Sequence, residues 1–341
     1  MRDGMFVFDS HSHVWDASPE NTKNKWGETW IECFYTYHNA LNPPDPKWKM
    51  DYDKTFRKTD EDWYIDEMFV KGDADMAVLG TTLLKEFYHN GFHSADKHAR
   101  IAKKYPGRLV VAGGVDPREP DALQEFERQI TELGVGGFKW YTAEWRGESK
   151  GWRADDPMMT RFYEKAVELG CKNMHFHKGP GVAPLSLGGF DVRDIELPAA
   201  QFPELNFIID HCGLPRLDDF CWIAVKQPNI YAALAVALAF INNRPRYFAE
   251  IMANLLYWVG PDRILYGTDF PIWYPHWQLD KFMEFQMPDD LQKEYGVKMD
   301  EEARRKIVGG NLAKLYGIDV EARKKDLAKD ALSQRKNGKG T

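Results

Sequence analysis

Short β-rich runs alternate with helical periods along nearly the whole chain, and that alternation limits the fold more than any other feature. Strand candidates fall at residues 6–13, 75–81, 108–115, 136–141, 172–177, 206–211, 229–234 and 263–269. Helical periods lie at 93–105, 120–133, 156–170, 215–226 and 244–259. In DPMMTRFYEKAVELG, residues 156–170, Pro157 suits a first helical turn and Gly170 a C-terminal stop. Eight strands, each followed by a helix, predict a (β/α)8 TIM barrel. A doubly wound open sheet competes, but its Gly-rich phosphate fingerprint after the first strand is missing from the sequence.

Two stretches break the alternation. Residues 14–60 carry Trp26, Trp30, Trp48, Pro43, Pro44 and Pro46 and are too long for an ordinary connection. They are expected to form an insertion after the first strand, either a lid or an oligomer arm. Residues 300–317 read as a helix that completes a barrel domain of residues 1–319. Residues 320–341 are expected to be a polar, partly disordered C-terminal extension. Its Lys324, Lys325, Lys329, Arg335 and Lys336 read as solvated charge.

Charge and cysteine usage bear on partners and compartment. The net charge of −7 gives no nucleic-acid footprint. The chain shows no signal-peptide apolar stretch and no run long enough to span a membrane, so a cytoplasmic protein is expected. Cys33, Cys171, Cys212 and Cys221 form no Cys-x-x-Cys pair and read as reduced thiols. Tryptophans flank the later strands (Trp140, Trp145, Trp273, Trp277), which fits a water-poor pocket or a buried subunit interface. A homo-oligomer is expected, with a hetero-oligomer alongside a related barrel subunit as the alternative.

In a barrel, side chains at the C-terminal strand ends point into the mouth. The first run, FVFDSHSHVW, places His11 and His13 two apart, on one face of a strand. The fifth, NMHFHKG, does the same with His175 and His177. The sixth, NFIIDHCG, ends in His211, and the eighth, RILYGTDFP, ends in Asp269. Each has an ordinary reading when taken alone: a packed pair, a satisfied core histidine, an aspartate capping the next helix. Together they would ring one point. Neutral imidazoles and a carboxylate suit zinc, or else manganese or iron(II), as one or two ions. Such an ion can make hydroxide near neutral pH or polarise a carboxylate or carbonyl.

With these motifs the chain resembles the amidohydrolase superfamily, in particular the amidohydrolase-related group that includes aminocarboxymuconate-semialdehyde decarboxylase. The resemblance runs from Asp9 to about Gly317. It rests on D-S-H-S-H, H-K-G, D-H-C-G, Y-G-T-D-F-P and the closing G-N-L-A-K-L-Y-G. It implies that His11, His13, His177 and Asp269 bind the metal. His211 would lie beside it as a proton-transfer residue or a ligand.

Several residues have more than one reading. Lys139 stands where binuclear members carry a carboxylated lysine that bridges two metals. An inward lysine must otherwise pair with an acid such as Asp269 or bind substrate. His175 is either a deeper structural histidine or part of an enlarged site for a second ion. Glu144 is a solvated loop residue or an extra ligand. Arg153 and Arg216 could hold a substrate carboxylate or lie at the surface. Asp9 and Asp210 precede ligand positions, and in a regular strand they would face away and orient loops. His38, His89, His93, His98 and His276 lack a strand-end setting and read as structural or exposed.

The expected function is metal-dependent decarboxylation or hydrolysis of a small carboxylate or cyclic substrate, with His211 and Asp269 handling protons. A binuclear iron or manganese oxygenase on the same scaffold, and a non-catalytic partner subunit of a related barrel, are the alternatives.

Overall fold

Eight strands buried on both faces need apolar side chains inside and outside. The computed structural model, which describes residues 2–336, shows that double burial. The strands are β1 (Phe8–Ser12), β2 (Met76–Gly80), β3 (Leu109–Gly113), β4 (Gly137–Trp140), β5 (Asn173–His177), β6 (Asn206–Asp210), β7 (Ile230–Ala233) and β8 (Ile264–Leu265). They pair in parallel in sequence order. The seam between the last and first strands closes through backbone bonds from Ser10 to Tyr266 (2.9 Å), Asp269 to His11 (2.9 Å) and His13 to Phe270 (2.8 Å). The result is the (β/α)8 barrel that the alternation predicts. The ladder of β8 is shorter than expected, because the chain leaves it at Tyr266 and bonds onward to β1.

Phe8, Met76, Val78, Ala112, Ile208 and Leu265 pack together as the inner layer. Phe138, Trp140, Met174, Phe176, Phe207 and Ile209 face outward, into the large cluster beneath the helices. The helices start and stop where capping chemistry directs. Ser94 accepts a bond from the Lys97 amide at the start of Ala95–Lys104. Pro157 opens the turn that leads into Thr160–Glu168, and Gly170 ends that segment at φ +70°.

The segment after β1 forms α1 (Lys25–Leu41), capped by the side chain of Asn24. Its Trp30, Phe34, Tyr37 and Leu41 line a cavity shared with the strand-end histidines, so α1 covers the barrel mouth. It is tied down at several points. The Tyr37 hydroxyl donates to the Gly181 carbonyl (2.6 Å), and His38 Nδ1 to that of Ile272 (2.7 Å). Asn243 reaches Ala40 (2.7 Å).

The C-terminal stretch differs from the solvated, partly disordered extension expected of it. Val320–Leu327 and Ala331–Lys336 are helices. Leu327 and Leu332 are buried, and Asp330 takes two bonds from the buried Arg108 guanidinium (2.6 and 2.8 Å). Arg335 pairs with Asp66, and Lys336 with Asp73. Polar composition hid the two leucines that anchor the segment. Residues 337–341 of the expected extension lie outside the described residues. Among the described residues, no helix is long and apolar enough to cross a membrane.

Candidate metal centre

A change of register in β1 delivers the first two histidines. Its pairing with β2 shifts between Asp9 and Ser12, a bulge that re-aims side chains. Phe8 therefore lies in the inner layer, while His11, three residues on, and His13 both reach the mouth. Asp9 fixes the bend by accepting from the amides of His11 (2.9 Å) and Thr268 (3.1 Å). It orients loops, as expected, and its burial pushes the carboxyl up to about 7.

His11, His13 and Asp269 converge. His11 Nε2 lies 3.0 Å from His13 Nε2. The Asp269 Oδ1 atom is 3.6 Å from the first and 3.4 Å from the second. The other ring nitrogens decide what faces this point. His11 Nδ1 is 3.2 Å from an Asp210 carboxylate oxygen, and His13 Nδ1 is 3.0 Å from the Gly80 carbonyl. Both partners are acceptors, which places the ring protons on Nδ1 and leaves both Nε2 atoms bare. Burial and the Lys139 charge push His11 down to about 3, so its imidazole is neutral. Burial alone would raise the Asp269 carboxyl, but a proton taken up by the cluster sits on a histidine such as His11, and that charge holds the carboxyl below its usual range. Two bare nitrogens and a carboxylate oxygen thus crowd together without a proton between them. Bonds of roughly 2.0–2.2 Å to one ion put adjacent ligand atoms about this far apart. The three residues fit a divalent cation.

His177 and His211 form the adjacent wall. His177 Nδ1 lies 3.0 Å from His211 Nε2. His211 Nδ1 donates to the Ala235 carbonyl (3.2 Å), so its Nε2, the atom that meets His177, carries no proton. The chain takes positive φ at His211 (+66°) and again at Asp269 (+58°). Those turns are costly for side chains other than glycine and are characteristic of functional sites.

Lys139 pairs with Asp210, and both are almost fully buried. An acid such as Asp269 was expected to pair with it, and Asp210 takes that place. Asp210 also departs from its expected outward orientation. The left-handed turn at His211 and Cys212 breaks strand parity, so Asp210 and His211 both face the barrel interior. Burial would raise Asp210, but the charge of Lys139 holds it well below the carboxylate range. His175 sits deeper, in register with Lys139. It lies between the Tyr316 hydroxyl (2.9 Å) and Asp210 (3.5 Å) and outside the residues that line the cavity.

The remaining candidates are not brought together with these. Glu144 is buried behind the loop after β4, where it accepts from the Lys85 amide (3.3 Å). Arg153 is exposed and pairs with Asp155. Arg216 is exposed beside Asp219. Sequence reasoning read His93 as structural or exposed, and it is buried and lines the cavity with its ring 4.8 Å from that of His13. It holds the Thr82 amide (2.9 Å) from a loop rather than a strand end. The exchange of β-type bridges between Thr82 and His93 leaves no sequence periodicity to reveal it.

Above the histidines lies a cavity of about 90 Å³. Phe34, Phe92, Phe240, Ile272 and Trp273 make its walls apolar.

The profile of the family described as Amidohydrolase matches residues 8–318. Protein fluG of Emericella nidulans is 24% identical over 156 residues, which are 44% of this chain and 18% of that protein. The chain therefore corresponds to a small part of that relative's length. An uncharacterized TIM-barrel protein of Bordetella bronchiseptica superposes with a TM-score of 0.67 at 16% identity, over 91% of this chain and 99% of its own. The 5-carboxyvanillate decarboxylase of Novosphingobium aromaticivorans, with bound manganese and 3-methoxy-4-hydroxy-5-nitrobenzoic acid, gives 0.58 at 15% identity, over 93% and 98%. These likenesses are of fold.

Proposed function

The chain belongs to the amidohydrolase family, and from that premise we propose that it is a metal-dependent decarboxylase of a small, ring-shaped carboxylic acid. One observation carries the reading. The bare nitrogens of His11 and His13 meet an Asp269 oxygen at the floor of a cavity with aromatic walls. A single zinc or manganese ion, held by these three with His177 adjoining, would supply Lewis acidity at the substrate carboxylate. The decarboxylase among the structural neighbours, itself carrying manganese, supports the choice of reaction.

The chain's own residues would do the rest. The apolar walls strip water from the carboxylate, which favours loss of neutral carbon dioxide over retention of a desolvated anion. His211, protonated at Nε2 by solvent, would give that proton to the ring carbon as the carbon–carbon bond breaks and its electron pair stays with the ring, so one proton is taken up for each carboxylate that leaves as carbon dioxide. Asp269 Oδ2 lies 3.9 Å from His211 Nδ1 and stabilises the imidazolium meanwhile. Because the Lys139 nitrogen is engaged by Asp210, one ion is favoured over the two-ion oxygenase. Among the described residues, one such cluster of three ligands forms.

The test is metal content and carbon dioxide release from hydroxybenzoates, measured on the purified protein and on His13→Ala and Asp269→Ala. Both variants are expected to lose most of the metal and all turnover. Full metal content in both would overturn the site.

A further inference from the structure

Two polar atoms on residues lining the cavity have no partner among the described residues: the indole Nε1 of Trp30 and the hydroxyl of Tyr141. They are not surface groups waiting for bulk water, since Trp30 is 1% and Tyr141 6% exposed. They come from different elements, Trp30 from α1 and Tyr141 from the residue after β4. Their rings nevertheless meet edge to face, with centroids 5.6 Å apart. The Tyr141 ring also packs against that of His177, at 4.6 Å. The two donors therefore stand one side chain away from the histidine cluster.

Other polar groups around the cavity are already committed. The Tyr37 hydroxyl is used by Gly181, His93 Nδ1 by Thr82, His13 Nδ1 by Gly80 and Lys139 by Asp210. Buried polar groups are nearly always satisfied, so a neighbouring pair without partners calls for a ligand group. An indole N–H can only donate, which makes that group an acceptor. Among the described residues no arginine lines the cavity, and the one ammonium that does is spoken for. A second carboxylate would enter without a counter-charge, whereas a hydroxyl or carbonyl oxygen asks only for donors.

We propose that Trp30 Nε1 and the Tyr141 hydroxyl together hold an oxygen substituent on the substrate ring, and so select ring monocarboxylates bearing a hydroxyl or carbonyl oxygen over dicarboxylates. The proposal rests on the decarboxylase reading for the placement of the carboxylate.

Titration calorimetry of the metal-loaded protein tests it, with benzoate, the three hydroxybenzoate isomers and isophthalate as probes. One hydroxybenzoate is expected to bind about tenfold more tightly than benzoate, the scale of a well-formed buried hydrogen bond. Isophthalate should bind more weakly than that isomer. Tyr141→Phe should bring the ratio of hydroxybenzoate to benzoate affinity close to one, and Trp30→Phe should reduce it part of the way. The two variants remove donors from separate elements, so either one, once folded, decides the matter. An unchanged ratio in a folded variant, or isophthalate binding tightest, overturns the donor pair. So does wild-type protein that binds none of the probes, which also removes the carboxylate anchor beneath it. The expected binding pattern without carbon dioxide release leaves the donor pair standing and overturns the proposed reaction.

Discussion

Gly179 lies so close to His211 that a β-carbon there would sit 2.4 Å from the histidine's own. This explains the glycine of the H-K-G motif: the loop after β5 must run flush against the ring. Gly179→Ala should displace His211, and a misplacement on the order of 1 Å costs roughly a hundredfold in turnover. Metal content should hold, because the converging ligands lie elsewhere. Assay of both quantities on one preparation checks this. Glu144 supplies a pH prediction. Burial, and then the charge of Asp116, raise its carboxyl from 4.5 to about 8. Below pH 4.5 it is protonated whether folded or not. Between 4.5 and about 8 only the unfolded chain releases the proton, so stability falls as pH rises through that window. Glu144→Gln should flatten the slope of urea stability between pH 5 and 8, with its gain over wild type growing toward pH 8. The histidines and Asp269 were legible because strand-end position and ligand type coincide. Asp210 was misread because alternation assumes a regular strand, and the left-handed residues at 211 and 212 are invisible in composition.

Between elements, the loops around the mouth are held by a second buried ion pair. Lys178 donates to Asp194 (2.7 Å) and to Thr142 (3.0 Å), and Asp194 also accepts from the Ala154 amide (2.9 Å). One contact thus joins the loops after β4 and β5 to the turn at Val192–Ile195. Lys178→Met should cost about 3–5 kcal/mol, because it strands a buried carboxylate. Adding Asp194→Asn should recover part of that loss, as read by chemical denaturation of the single and double variants. The sequence showed that residues 14–60 break the alternation, but not the direction they take. The path of α1 depends on long-range bonds such as His38 to Ile272, and a local pattern carries no record of partners more than two hundred residues away. The bulge in β1 escaped notice for a related reason, since a slipped register leaves the amino-acid order of a strand unchanged.

For the molecule as a whole, the C-terminal helices add to the base of the barrel. Arg108 is buried and meets Asp330 with two bonds, while Leu327 and Leu332 supply the apolar contact. Removing residues 319–341 would expose surface matching two leucines and leave the guanidinium with backbone carbonyls alone, a loss of about 4 kcal/mol or more. Thermal denaturation should show a fall on the order of 10 °C, with metal content kept, because the cluster lies at the opposite rim. The seam of the barrel has a consequence for how the protein is made. Two of the converging groups, His11 and His13, stand on and just after the first strand, and the third, Asp269, follows the eighth. A chain that stops before Asp269 holds only two of the three. An ion held by all three would therefore bind only after the eighth strand is made, and would pin the seam between the last strand and the first.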